Sequence, residues 1–160
     1  MSVDSSVFRK TLGCFASGVT VVTARTKEGM PAGVTVSAFS SLSLDPPLVL
    51  FCLGRSNTQI DAFTSGPLCV SILSSEQRDV SSRFATKGID RFAQGDLEET
   101  DTGILAPKGA LARLECTVHQ VVEGGDHLII VALVEKATWS AEHRPLVYFQ
   151  GAYQDIRPAP

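Results

Sequence analysis

Hydroxyls, main-chain amides and a few isolated cations are the chemical resource of this sequence, rather than an acid–base pair or a nucleophile. Between Gly33 and Pro47 a β-branched run, Val34-Thr35-Val36, enters a passage holding Ser37, Ser40, Ser41 and Ser43. The β-branched run favours extended backbone, and the serines add donors and acceptors without charge or bulk. Asp45-Pro46-Pro47 then stops the segment, because proline cannot continue a helix. A strand that runs into such a loop can lay amides and small hydroxyls against a flat polar ligand. It can equally be a polar connection between two strands.

Four further segments carry chemistry. Ser56-Asn57-Thr58-Gln59 has the Ser-x-x-Gln spacing of a capping box, in which Ser56 accepts from the Gln59 amide and Gln59 reaches back. The amides of such a first turn, with Arg55 just before them, would attract an anion; an ordinary helix cap is the plainer account. In Ser81-Ser82-Arg83-Phe84, helical spacing puts Arg83 one turn from Asp79, so a surface ion pair competes with Ser82 and Arg83 holding a phosphate. His127 comes directly after the turn Glu123-Gly124-Gly125-Asp126 and sits at a strand's rim, where histidines are commonly just solvated. Leu146 to Phe149, with Tyr153 beyond it, reads as a closing strand with aromatic packing. His119 and His143 have no such context and read as structural.

Composition narrows the classes. The chain has 160 residues, 44% hydrophobic and 19% charged, with a formal net charge of −3; this suits one globular domain over 1–160. No cluster of Lys and Arg offers a nucleic-acid or anionic-membrane surface. No apolar leader follows Met1 and no window is long enough to span a membrane, so a cytoplasmic protein is expected. Cys14, Cys52, Cys69 and Cys116 form no Cys-x-x-Cys pair, and the last three lie in apolar runs as small hydrophobes, so neither metal nor disulfide is expected.

The elements that must position these groups emerge from periodicity. A helix capped by Asp4 or Ser5 runs to about Ala16, with Val7, Phe8, Leu12 and Phe15 at helical spacing. Val19–Arg25 and Ala32–Val36 form a hairpin, Leu48–Leu53 is a buried strand, and a short helix runs from Ser56 to Phe63. Leu68–Leu73 is a strand, and a helix capped by Ser74 ends near Ala85. Ala112 to His119 alternates as a half-buried strand, and His127–Lys136 is its hairpin partner. Thr86–Pro107, lacking any period, is expected to be a mobile loop, either a lid or a surface insertion. No Gly-x-Gly-x-x-Gly follows a strand, which disfavours a Rossmann domain. A mainly β protein, an antiparallel barrel with inserted short helices, fits best.

Taken together, Phe15-Ala16-Ser17-Gly18-Val19-Thr20-Val21-Val22-Thr23, the Thr35–Pro47 passage, Ser56–Gln59, Ser82-Arg83, Gly125-Asp126-His127 and the ending through Tyr153 resemble, in order, the short-chain NAD(P)H:flavin oxidoreductases. These are reductase components of two-component flavin-dependent monooxygenases. The resemblance implies an FMN-binding split β-barrel, a homodimer, and hydride transfer from NADH, or NADPH, to FMN or FAD, with reduced flavin passing to a monooxygenase. It implies that Thr35, Val36, Ser37 and Ala38 contact the flavin ring and that Ser41 and Leu42 track the ribityl chain. Ser56, Asn57, Thr58, Ser82 and Arg83 would meet the phosphate, His127 the nicotinamide, and Phe149 and Tyr153 the dinucleotide's border. Relatives often carry a basic residue in the ending where Gln150 and Ala152 stand here, which favours NADH. No protein acid or nucleophile is required, because hydride moves between cofactors. Two other readings remain: a non-catalytic flavin-binding electron carrier, and a flavoenzyme of the same fold reducing another small acceptor.

Overall fold

The run of β-branched residues that opens Thr20–Arg25 organises the molecule, because both faces of this strand are covered. The computed structural model describes residues 3–156. In chain order its elements are α1 (Ser5–Gly13), β1 (Ser17–Gly18), β2 (Thr20–Arg25), β3 (Pro31–Val36), β4 (Phe39–Leu44), β5 (Pro47–Gly54), a 3-10 turn (Ile60–Phe63), β6 (Pro67–Ile72), α2 (Arg78–Ala85), β7 (Leu97–Glu99), β8 (Leu105–Pro107), β9 (Ala112–Gly124), β10 (His127–Trp139), β11 (Val147–Phe149) and β12 (Ala152–Gln154). Seven strands form one antiparallel sheet in the order β3-β2-β6-β9-β10-β5-β4, and β1, β11 and β12 form a second, smaller one.

One face of the large sheet curls around the main core. Val22 and Ala24 of β2, Val49, Phe51 and Leu53 of β5, Leu68 and Val70 of β6, and Ile130 and Ala132 of β10 meet there, closed by Phe63 of the 3-10 turn. The opposite face carries a second core, where Val19, Val21 and Leu73 meet Val80 and Phe84 of α2. Strand residues alternate between faces, so Val21 and Val22 serve different cores. The mainly β, barrel-like fold expected from the hairpin spacing is the one observed.

Several boundaries differ from the reading of the sequence, each for a physical reason. The hydroxyl-rich passage after Ala38 is a strand, β4, paired to β5 from Phe39↔Phe51 to Leu44↔Pro47 with a bulge between Ser41 and Ser43; as an exposed edge it needs no apolar alternation. The first helix ends at Gly13, and none of its residues is buried. The helix expected from Ser56 shrinks to four residues, Ile60–Phe63, without a side-chain cap. Ser74 does not cap α2; its N–H instead donates to Gln77 Oε1 at 3.0 Å.

The Thr86–Pro107 stretch contains the β7–β8 hairpin, tied to the outer face of the sheet. Arg25 pairs with Glu99 at 3.4 Å, Arg113 with Glu98 at 2.6 Å, and Lys136 with Asp101. Ile104 and Ala106 pack beside Cys69 beneath it. Burial pushes the Cys69 thiol up to about 11 and that of Cys116 to about 12, so both stay protonated, as small hydrophobes do.

α2 presses directly onto β3. A Cβ at Gly33 would lie 2.5 Å from Phe84 Cε1 and 3.0 Å from Phe92 Cζ, and Phe84 is fully buried with nowhere to retreat. Gly33→Ala is therefore expected to cost about 1–3 kcal/mol by overpacking, seen as a lower urea midpoint with an unchanged slope. An unchanged midpoint would mean that α2 can slide on the sheet.

Candidate functional site

β3 is an edge strand, so alternate N–H and C=O groups on its free side have no ladder partner. That side faces a cleft of about 310 Å³, walled by Val34–Ala38, by Cys52–Gly54 of β5, by Ser56 and Asn57, by Lys87 and by His127. The Ser37 and Ala38 amides, at the bend between β3 and β4, donate to no main-chain carbonyl among the described residues. The bend is held from below by Cys52 N–H donating to the Ala38 carbonyl at 2.9 Å. A second, more apolar cleft of about 600 Å³ shares Ser37, Ala38 and Cys52 with the first and extends along Phe15–Gly18.

The turn after β5 supplies the far end. Here the expected capping box is absent: Asn57, not Ser56, accepts from the Gln59 N–H, at 2.8 Å, an Asx turn in place of a helix start. The Ser56 hydroxyl and the Asn57 side-chain amino group are thus left for the cleft, but the four-residue 3-10 turn contributes no helix-terminal anion site. Arg55 is withdrawn as well, donating to the Gly125 carbonyl at 3.1 Å and pairing with Glu123 at 3.0 Å.

His127 opens β10 opposite Gly54. Its Nδ1 lies 2.7 Å from Asp126 Oδ1. That hydrogen bond, with the imidazole charge, holds the Asp126 carboxyl below its ordinary value. Its Nε2 projects over Gly54, where an added Cβ would meet it at 3.6 Å. In the neutral ring, a proton on Nδ1 makes Nε2 an acceptor at the rim.

The structure thus brings Thr35, Val36, Ser37, Ala38, Ser56, Asn57 and His127 around one cleft. Thr35's hydroxyl is already used, donating to the Ser81 carbonyl of α2 at 2.6 Å, so Thr35 presents main chain rather than its side chain. Thr58 lines a neighbouring cleft. Ser41 and Leu42 lie on exposed β4, and Ser82 is exposed on α2; none of the three lines the first cleft. Phe149 and Tyr153 belong to the small sheet, where the Tyr153 hydroxyl lies 2.8 Å from Ser81 Oγ.

Arg83 is the clearest departure. It pairs not with Asp79 but with both oxygens of Asp96, at 2.7 and 2.8 Å, and donates to Gln94 Oε1 and the Arg91 carbonyl. Only 7% exposed, it is a buried tie between α2 and the following loop and does not line the cleft. Lys87, which the sequence reading passed over, does. Among the described residues no carboxylate lines this cleft, so Lys87 is its one permanent charge; a single lysine in a Gly-containing loop carries no motif that could have singled it out.

Free amides, small hydroxyls, a flat strand edge and one cation suit a planar, hydroxylated ligand ending in phosphate. The donor set therefore fits a flavin. Among the described residues no group of His, Cys, Asp and Glu could hold a metal ion, and no helix is long and apolar enough to cross a membrane.

Comparison with known proteins identifies the family. Residues 12–157 match the family model described as flavin reductase like domain. The reductase subunit HsaB of a flavin-dependent monooxygenase from Mycobacterium tuberculosis is 40% identical over 161 residues, spanning 98% of this chain and 84% of the relative. The Agrobacterium fabrum protein named FMN reductase (NADH) SmoA is 42% identical, with 94% and 85% covered. Among solved structures, the Streptomyces globisporus C-1027 NADH:FAD oxidoreductase SgcE6 superposes with a TM-score of 0.91 at 34% identity, covering 100% of this chain and 99% of that one. The matched span runs from the end of α1 through the cleft to β12, and the chain belongs to the flavin reductase like domain family.

Proposed function

We propose that this chain is an NADH-dependent flavin reductase whose reduced flavin serves a separate monooxygenase. The observation that carries the reading is the bend after β3: Ser37 and Ala38, whose amides have no main-chain acceptor among the described residues, line a carboxylate-free cleft together with Lys87 and His127. A flavin bound there supplies the hydride acceptor. The chain's own work is positioning and electrostatics. The Ser37 and Ala38 N–H groups point at the ring edge where negative charge grows on reduction, and fixed donors stabilise such charge without reorganising. Ser56 and Asn57 hold the ribityl–phosphate end beside Lys87. His127, oriented by Asp126, bounds the space for nicotinamide. Relatives are named both FMN reductase (NADH) and NADH:FAD oxidoreductase, which supports NADH as donor.

A dimer and a cytoplasmic location complete the reading. α1 buries nothing, leaving Val7, Phe8 and Leu12 about half exposed, while Phe15 beside the second cleft is 83% exposed. Four large apolar side chains exposed within so short a stretch are what an interface would cover, and a second copy of the chain across α1 and the 600 Å³ cleft would cover them. Phe8→Asp with Phe15→Asp is then expected to turn a two-chain particle into a single chain in light scattering; a wild-type protein that already runs as one chain rules the dimer out.

The catalytic reading is tested by NADH oxidation in air with and without added FMN. Turnover that requires flavin supports the reductase, whereas a flavin-loaded protein that never oxidises NADH supports a carrier. His127→Ala should raise the KM for NADH several-fold while leaving the flavin Kd within about twofold; the reverse pattern would move His127 out of the nicotinamide site. Lys87→Gln should weaken FMN by roughly tenfold, about 1.4 kcal/mol, and leave riboflavin, which has no phosphate, unaffected. Equal losses for both ligands would place Lys87 at the ring instead.

A further inference from the structure

Tyr153 is expected from the resemblance to border the dinucleotide, yet it lines neither of the clefts that meet at the Ser37–Ala38 bend. Its hydroxyl is turned to α2, where it lies 2.8 Å from Ser81 Oγ. Ser81 is buried, and the hydroxyl of a helical serine commonly bonds back to the carbonyl four residues before it. Here that hydroxyl meets the small sheet instead. The Ser81 carbonyl accepts from the Thr35 hydroxyl at 2.6 Å, and Thr35 walls the flavin cleft. One buried serine therefore joins β12 to β3, and the path from the Tyr153 oxygen to the cleft wall is two hydrogen bonds long.

The phenol is itself held in place. Its ring packs on the second core, beside α2, and stands edge-to-face with Tyr148, the ring centroids 5.6 Å apart. The two tyrosines are partners in the β11–β12 register, and Tyr148 is paired in turn with Ser17 of β1. Ser17 lines the second cleft, so the small sheet touches one cleft directly and reaches the other through Ser81. Just beyond Tyr153, Asp155 pairs with Arg78 at the start of α2, at 2.7 Å. That exposed ion pair adds little. The Tyr153–Ser81 hydrogen bond lies against a buried serine, where leaving a hydroxyl unpaired is costly.

Fixed donors stabilise a developing charge because they need not reorganise when it appears. Ser37 and Ala38 follow closely after Thr35 on the same chain, so slack at Thr35 reaches their amides. Such slack costs reduced flavin, which carries the added charge, more than it costs oxidised flavin. We infer that Tyr153 is a positioning residue for flavin reduction: through Ser81 and Thr35 its hydroxyl fixes the Ser37–Ala38 bend, and so favours reduced flavin over oxidised. The inference rests on the flavin reading of the first cleft.

Anaerobic titrations of oxidised FMN and of dithionite-reduced FMN against the wild-type chain, Tyr153→Phe and Ser81→Ala test it, with NADH oxidation kinetics and thermal unfolding of each. Tyr153→Phe removes one oxygen and keeps the ring packing. The expected result for both variants is a Kd for reduced FMN raised about three- to fivefold, a Kd for oxidised FMN within about twofold of wild type, and an unchanged KM for NADH. Either substitution added to Thr35→Val should weaken reduced FMN no further, because both act through that residue. A lowered unfolding temperature with both flavin constants unchanged overturns the inference and leaves the hydroxyl a structural tie. A raised KM for NADH with unchanged flavin constants also overturns it and puts Tyr153 at the dinucleotide. Losses that add in full to that of Thr35→Val overturn the route through Ser81. A wild-type chain that binds neither oxidised nor reduced FMN overturns the flavin reading itself, an outcome distinct from binding that the substitutions leave unchanged.

Discussion

The edge strand that walls the cleft must be held rigid without being covered, and the structure depends on how β3 meets this constraint. One side of β3 is paired to β2 from Thr20↔Val36 to Arg25↔Pro31. The other side must stay open, so the restraint comes from α2 and the loop after it. Phe84 packs where Gly33 has no side chain, Thr35 donates to the Ser81 carbonyl, and Arg91 donates to the Gly33 carbonyl. All three contacts act at or before Thr35, and the open amides begin at Ser37. A strand edge clamped at its root presents fixed donors, as stabilising a charge that develops only during reaction demands.

The same arrangement sorts the arginines from the lysine. Arg83 is buried and Asp96 satisfies it with a two-oxygen fork, so it joins α2 to the loop beyond. Arg91 captures the Thr86 carbonyl and thereby sets the loop that carries Lys87. Guanidinium suits such multiple, planar attachments, whereas an ammonium on a flexible stem suits a ligand that enters and leaves. Both arginines are tied into the structure, and the flexible lysine lines the first cleft.

Much of this site is readable in the sequence where its geometry is local. Val34-Thr35-Val36 declares a strand, the Gly125-Asp126 turn puts His127 at a rim, and Ser56-Asn57 comes just past the end of a strand. The features that escape such a reading depend on partners distant in the chain or on ambiguous chemistry. Arg83 looks free in the sequence because Asp96 lies 13 residues on in a stretch without periodicity. The spaced hydroxyls of Ser40, Ser41 and Ser43 fit an exposed edge strand as well as a loop, and only pairing with β5 decides between them. Ser56 and Gln59 have capping-box spacing, but Asn57 between them reaches the Gln59 amide over a shorter path. Phe149 and Tyr153 sit on a sheet whose third strand, β1, is two residues long and has no signature of its own.

The loop after α2 shows why a reading by motif reaches its limit here. Residues 86–96 have neither regular structure nor a hydrophobic period, yet they include Lys87, Arg91 and Asp96, the groups that charge the cleft, fix its wall and neutralise Arg83. Their fold is dictated by satisfying buried polar groups rather than by burying apolar ones. Arg83 cannot be buried without an acceptor fork, and the Gly33 carbonyl on an open edge needs a donor. Meeting both demands fixes the path of the loop, which then leaves Lys87 at the meeting of two clefts. In this chain the position of the ligand-facing charge follows from the cost of leaving structural polar groups unpaired.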